Sequence, residues 1–180
     1  MRNVIEYTQI SVDGIVSGTG IAGFAAYRDD VYMRDGLSQL LACDAMVMGR
    51  TTYELFAQLW PRRSDPWAVR VNTMPKYVFS SKLETAAWSN TTIVRGDVVA
   101  EMTRLKQQEG QDLMLYGHGL LGATLLEHHM IDLIDLAIHP LVVGHGLPWF
   151  REGAQARLQL LAIKTFSKGI VKHTYAPQYD

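Results

Sequence analysis

Apolar positions along this chain recur first with the period of a strand and then with that of a helix, and the alternation continues over most of its length. That order predicts an α/β fold, a mainly parallel sheet covered by helices. Val4 to Val12 reads as the first strand, ended by Asp13-Gly14. Ile15 to Asp30 is rich in Gly and Ala and holds no period, so it reads as a long loop bordering a pocket. Met33, Leu37, Leu40 and Leu41 stand at helical spacing and give a helix with one buried stripe, followed by a short strand from Ala45 to Met48. Thr51 and Glu54 have capping-box spacing, which predicts a second helix continuing through Phe56, Leu59 and Trp60.

Pro61 to Pro66 reads as a polar break. Lys76 to Phe79 and Thr91 to Val94 read as strands, and Val98, Met102 and Leu105 mark a helical face that Gly110 stops. Leu113 to Tyr116 is a further buried strand, Leu120 to Met130 an apolar helix, and Ile134, Leu136 and Ile138 alternate with Asp135, Ala137 and His139 in another strand. Leu158 to Phe166 and Ile170 to Tyr175 flank Ser167-Lys168-Gly169, the signal of an antiparallel hairpin. No linker or change of composition divides these elements, so residues 1–180 are expected to form one domain.

Composition narrows the function. With 48% apolar residues the chain can build a core, which excludes a disordered or coiled-coil chain. The 17 Lys and Arg against 18 Asp and Glu leave no bulk attraction to nucleic acid or anionic lipid, so neither is expected as a partner. Cys43 is the only cysteine, which rules out an intramolecular disulfide and suits a cytoplasmic setting. Glu6 interrupts the N-terminal apolar stretch, and no run of 18 uncharged apolar residues occurs, so neither a secretory signal nor a membrane span is expected. His118, His128, His129, His139, His145 and His173 are scattered, and no metal site is expected from them.

Three strand ends carry groups suited to an anion. Gly49-Arg50-Thr51-Thr52 joins a glycine and a cation to a helix start, where free amides favour a phosphate; the alternative is a plain helix cap. Gly117-His118-Gly119-Leu120-Leu121-Gly122 follows a strand and opens a helix with G-x-G-x-x-G spacing. It lacks the acid about 20 residues on that a Rossmann fingerprint requires, so its glycines serve either close approach to a pyrophosphate or helix-to-sheet packing. Ser80-Ser81-Lys82 adds two hydroxyls and a cation, or is an ordinary loop. Together the three point to the carboxyl edge of one sheet. Asp13 reads either as a turn residue or as a group donating a proton, or hydrogen-bonding, to an amide-rich heterocycle. P-loop, zincin and α/β-hydrolase motifs are absent from the sequence.

In sequence, Ser11-Val12-Asp13-Gly14, Met48 to Glu54, Met74 to Leu83, Gly117-His118-Gly119 and Ile138 to Phe150 resemble the dihydrofolate-reductase-like family. The resemblance is closer to the branch holding the C-terminal reductase domain of the bifunctional riboflavin-biosynthesis deaminase/reductase. It implies a three-layer α/β sandwich, with helices on both faces of a mixed sheet that ends in an antiparallel hairpin. It also implies an NADPH-dependent reductase moving a hydride to a small polar heterocyclic or carbonyl substrate, as the 5-amino-6-(5-phosphoribosylamino)uracil reductases do. Gly49, Arg50, Thr51, Thr52, Gly117, His118, Gly119, Leu120 and Leu121 would then hold the coenzyme's diphosphate, and Ser80, Ser81 and Lys82 its 2′-phosphate. Asp13 would sit beside the reacting centre, and Phe24, Tyr32 and Asp35 would meet the substrate from a specificity segment at 15–35. Where the family has three consecutive glycines, His118 replaces the middle one. Met33 falls where folate reductases carry an acid, which argues against folate. The alternatives on the same fold are a non-catalytic nucleotide- or small-ligand-binding module and a dihydrofolate reductase. A homodimer is expected to cover edge strands and the Leu141-Val142-Val143 run.

Overall fold

The computed structural model describes residues 1–17 and 19–179. Its elements run, in chain order, β1 (Val4–Ser11), β2 (Ile15–Ser17), α1 (Asp30–Leu41), β3 (Cys43–Gly49), α2 (Arg50–Leu59) and α3 (Pro66–Thr73). They continue with β4 (Lys76–Phe79), β5 (Thr91–Val94), α4 (Val98–Gln107), β6 (Asp112–Tyr116) and α5 (Gly119–Glu127). The chain closes with β7 (Leu133–His139), β8 (Leu147–Pro148), β9 (Arg157–Thr165) and β10 (Val171–Gln178). Eight strands form one sheet in the order β5-β4-β3-β6-β1-β7-β10-β9. From β5 to β7 all pairs are parallel, while β10 runs antiparallel to both β7 and β9, as the hairpin signal at Ser167-Lys168-Gly169 requires.

The central strands are buried on both sides, so their apolar residues serve two cores. Val47, Leu113, Leu115 and Ile134 pack against Met102 and Leu105 of α4 and Leu121 and Leu125 of α5. Met46, Met48, Met114 and Tyr116 face the other way, against Leu40 of α1, Tyr53 of α2 and Trp67 and Val71 of α3. Helices therefore cover both faces, giving three layers.

Three local expectations are corrected. The Ile15–Asp30 stretch is not irregular throughout: β2 pairs with β8, and Thr19–Tyr27 winds as 3-10 turns. The Thr51–Glu54 capping box does not form, because the cap is Gly49, which has no side chain to accept a bond; Glu54 instead accepts from Arg50 one turn back. Helix α3 follows the polar break, with the Asp65 carboxylate accepting from the Ala68 amide and Pro66 in its first turn. Its Trp67 ring lies over Gly36 of α1, where an added Cβ would stand 2.4 Å from the ring, so only glycine admits this approach.

Candidate functional site

The arrangement at β3 and β6 decides where a ligand can lie. These strands are neighbours with Met48 opposite Tyr116, yet the chain leaves β3 into α2 on one face and β6 into α5 on the other. Helices diverging from adjacent parallel strands open a crevice at the carboxyl ends, the switch point where open α/β sheets hold ligands. Strand β4 borders β3 on the far side, so Gly49–Thr52, Ser80–Lys82 and Gly117–Leu121 all stand on one edge of three adjacent strands.

Two of these turns touch. A Cβ on Gly117 would lie 2.8 Å from Thr52 Oγ1, and Gly117 holds φ at +74°, so both space and backbone demand glycine. Gly119 follows at φ +49°. No atom lies within 4 Å of a Cβ built on Gly49 or on Gly119, so the backbone is open on both sides of the crevice. The first-turn amides of α2 and of α5 lack intrahelical acceptors and, with the helix dipoles, fit an extended anion laid across them. Arg50 is exposed and, among the described residues, paired with Glu54 along its own helix, a weak surface pair from which a phosphate can draw it. Thr51 and Leu120 are exposed, whereas Leu121 is buried and turned into the core beneath α5. At the third turn Ser81 and Lys82 are exposed, but the Ser80 hydroxyl oxygen accepts from the Lys82 and Leu83 amides and so shapes its own turn.

His118 caps α5, and its side chain turns beneath the turn. It is buried, with Nδ1 3.0 Å from Glu6 Oε2. Glu6, on β1, is wholly buried and also accepts from Trp149 Nε1 at 3.0 Å and from Thr8 Oγ1 at 2.9 Å. A charged residue in a strand buried on both faces was the signal that could have marked Glu6, which sequence reasoning treated only as an interruption.

The residues expected around the substrate are placed differently. Asp13 is an acceptor: hydrogen bonds from Ser11 and from the Gly144 and Val143 amides bring its carboxyl down to about 2, so it carries no proton to donate near neutrality. It clamps the 141–147 segment to the end of β1. Phe24 is buried and stacks on His139 with centroids 4.2 Å apart, and Tyr32 is buried with its hydroxyl on that of Tyr7. Both rings are packed inside the protein, Phe24 on His139 at the end of β7 and Tyr32 of α1 against Tyr7 of β1. Burial acts to raise the carboxyl of Asp35, but bonds from Lys164 and from buried Lys172 hold it below the usual range. Between these groups lies a polar floor that sequence reasoning missed. Gln9 Oε1 meets Arg28 Nη2 at 2.9 Å and His139 Nε2 at 3.1 Å, and burial, with the Arg28 charge second, pulls His139 down to about 4. Burial, followed by the neighbouring Tyr32, pushes the Tyr7 hydroxyl well above its ordinary value. Burial likewise raises the Cys43 thiol to about 12, which leaves it unreactive. Among the described residues no helix is long and apolar enough to cross a membrane.

Known proteins share this architecture. The uncharacterized protein YyaP of Bacillus subtilis is 29% identical over 182 residues, covering 97% of this chain and 94% of its own. A protein provisionally assigned to riboflavin biosynthesis in Shewanella sp. PV-4 superposes with a TM-score of 0.80 at 18% identity, covering 98% of this chain and 99% of that one. Dihydrofolate reductase from Enterococcus faecalis, in complex with NADP(H), superposes with a TM-score of 0.65 at 13% identity, covering 98% of this chain and 97% of that one. The fold is thus that of dihydrofolate reductase. The model of the RibD C-terminal domain matches residues 2–172, and the chain belongs to that family.

Proposed function

We propose that this protein is an NADPH-dependent reductase that delivers a hydride to a small polar heterocyclic or carbonyl substrate. The observation that carries the proposal is the meeting of the β3–α2 and β6–α5 turns, Gly117 against Thr52, at a switch point whose two helix starts are open to an anion. Gly49, Thr51, Thr52 and the Gly117–Leu121 turn would hold the diphosphate; Ser81, Lys82 and Arg50 would meet the 2′-phosphate, with Ser80 fixing that turn. When bound, the coenzyme supplies the hydride. The chain supplies orientation and excludes water. Asp13, ionised, keeps the 141–147 segment against the end of β1, beside the place a nicotinamide would reach. The cytoplasm suits the lone, buried thiol of Cys43.

A second reading has one observation behind it. Phe24, Tyr32 and Tyr7, three rings of the segment and strand expected to meet a substrate, are buried against the protein's own groups, as expected of a module that binds the nucleotide without turnover. Titration with NADPH, followed by nicotinamide absorbance against 5-amino-6-(5-phosphoribosylamino)uracil-type pyrimidines and then dihydrofolate, separates the two. Oxidation by a pyrimidine supports the reductase, whereas tight binding with no oxidation across the panel supports the module. If Arg50→Ala and Lys82→Ala both leave NADPH affinity unchanged, the coenzyme placement is wrong.

A further inference from the structure

Arg28 carries a charge that no acid answers. It stands just before α1 and is half-buried, and among the described residues no carboxylate lies within ion-pair distance of its guanidinium. Asp29, its chain neighbour, accepts from the Tyr32 amide and from Ser167, and Asp35 pairs with Lys164 and Lys172. Arg28 Nε is buried and has no hydrogen-bond partner among the described residues, a state that a folded protein reserves for a group awaiting one. Burial dominates the shifts of His139, Tyr7 and Tyr32, and all three also feel the Arg28 charge.

Gln9 extends this cation into a donor edge. Its Oε1 accepts from Arg28 Nη2 at 2.9 Å and from His139 Nε2 at 3.1 Å, which decides the end-for-end orientation of the carboxamide and leaves Nε2 donating to nothing among the described residues. Phe24, stacked on His139 at 4.2 Å, and Tyr32, edge-on at 6.0 Å, hold the imidazole that holds Gln9. A guanidinium and a carboxamide nitrogen can only donate, so the edge suits an acceptor, and its unanswered charge an anionic one. Tyr7 of β1 lies opposite Tyr116, the residue before Gly117, and β1 runs on through Gln9 to Ser11, opposite His139 at the end of β7. Gln9 is thus two residues beyond the Gly117 turn on the adjacent strand, about 5 Å across, and shares with Tyr7 the face that α1 covers. Resting on the reductase proposal above, we infer that Arg28 and Gln9 are substrate-binding residues that take an anionic oxygen group, a carboxylate or a phosphate, of the molecule to be reduced.

The test is calorimetric titration of the full chain saturated with NADP+, which fills the diphosphate turn without transferring a hydride. Three probes are compared: orotate, a pyrimidine ring bearing a carboxylate; 6-methyluracil, the same ring with a methyl in that place; and inorganic phosphate. We expect orotate or phosphate to bind at least about tenfold more tightly than 6-methyluracil, as one charge-assisted bond in a half-buried site allows, and the tighter of the two identifies the group. Gln9→Glu sets a carboxylate of nearly the same shape beside Arg28 and should abolish the preference while the chain stays folded by circular dichroism. Arg28→Gln should abolish it as well. Equal binding of charged and neutral probes, binding of none, or a preference that survives Gln9→Glu overturns this inference alone, because NADP+ binding is measured on the same chain. Failure of NADP+ to bind overturns the coenzyme proposal and this inference with it.

Discussion

Replacing Gly117 with alanine tests the contact on which the site depends. The substitution carries two separable costs. At φ +74° an L-residue is strained by about 1–2 kcal/mol. The new Cβ also meets Thr52 Oγ1 at 2.8 Å, well inside van der Waals contact, and relieving that overlap should cost a further ~1 kcal/mol. Gly117→Ala is therefore expected to lose about 2–3 kcal/mol, a sizeable share of a domain's usual stability. In a Thr52→Ala background the nearest remaining Thr52 atom is Cβ at 3.9 Å, so only the backbone cost persists. Urea unfolding of the four proteins of this cycle should give a coupling energy of about 1 kcal/mol. NADPH affinity should fall with Gly117→Ala and partly recover in the double variant. Additive stabilities would mean that the two turns do not press on one another, and the crevice that carries the proposed function would lose its support.

Three further outcomes are expected. His139 is neutral in the fold with its value pulled to about 4, so stability present above the unfolded value of about 6.5 is lost as the pH falls toward 4, by at most about 3 kcal/mol; His139→Gln should flatten that limb of the stability curve, and an unchanged limb would refute the assignment. Gly36→Ala would drive a methyl into Trp67 at 2.4 Å and should cost about 1–3 kcal/mol by chemical denaturation, with Trp67→Phe in the same chain restoring part of it. The chain should sediment as a dimer and Leu161→Lys as a monomer, because β9 is an edge strand whose Leu160, Leu161 and Ile163 are 47%, 51% and 54% exposed; a wild-type monomer at micromolar concentration would exclude pairing through this edge.

What was legible in the sequence follows from which forces act locally. Strand β1 with Asp13-Gly14 after it, the Gly110 stop and the β9–β10 hairpin depend on period and turn chemistry, and they stand where those signals put them. Helix α3 carried a signal that was passed over: Asp65-Pro66 is an N-cap followed by a proline in the first turn, but it lay inside a stretch judged only by polarity. The Thr51–Glu54 pair failed for a different reason. A capping box competes with an i,i+4 ion pair for the same glutamate, and starting the helix two residues earlier, with Gly49 and not Thr51 as its cap, gives Glu54 to Arg50 and leaves the α2 amides open. An uncapped helix start is a local loss, and one that a ligand-binding edge can use. The β2–β8 pairing joins residues about 130 apart, and no local pattern encodes it.

The site divides along the same line. Its glycines could be read because positive φ and close approach leave glycine as the residue that fits, and their nearness to the carboxyl edge follows from strand order. Its buried and half-buried polar groups could not, because periodicity registers Glu6 merely as a departure from an apolar pattern and gives Gln9 and His139 no partner. What makes them stable is tertiary: Glu6 collects donors from His118 and Trp149, and Gln9 joins Arg28 to His139. Such residues weaken a strand unless partners arrive from distant parts of the chain, so each one implies a second segment that must dock correctly. For Glu6 those segments are the β6–α5 turn and the 140–150 segment, and the carboxylate therefore ties the proposed diphosphate turn to the loop that Asp13 holds over the end of β1. Two walls of the proposed site are in this way fastened through one buried charge, which is why Glu6→Gln should alter how the coenzyme is bound even though Glu6 has no exposure through which to touch it.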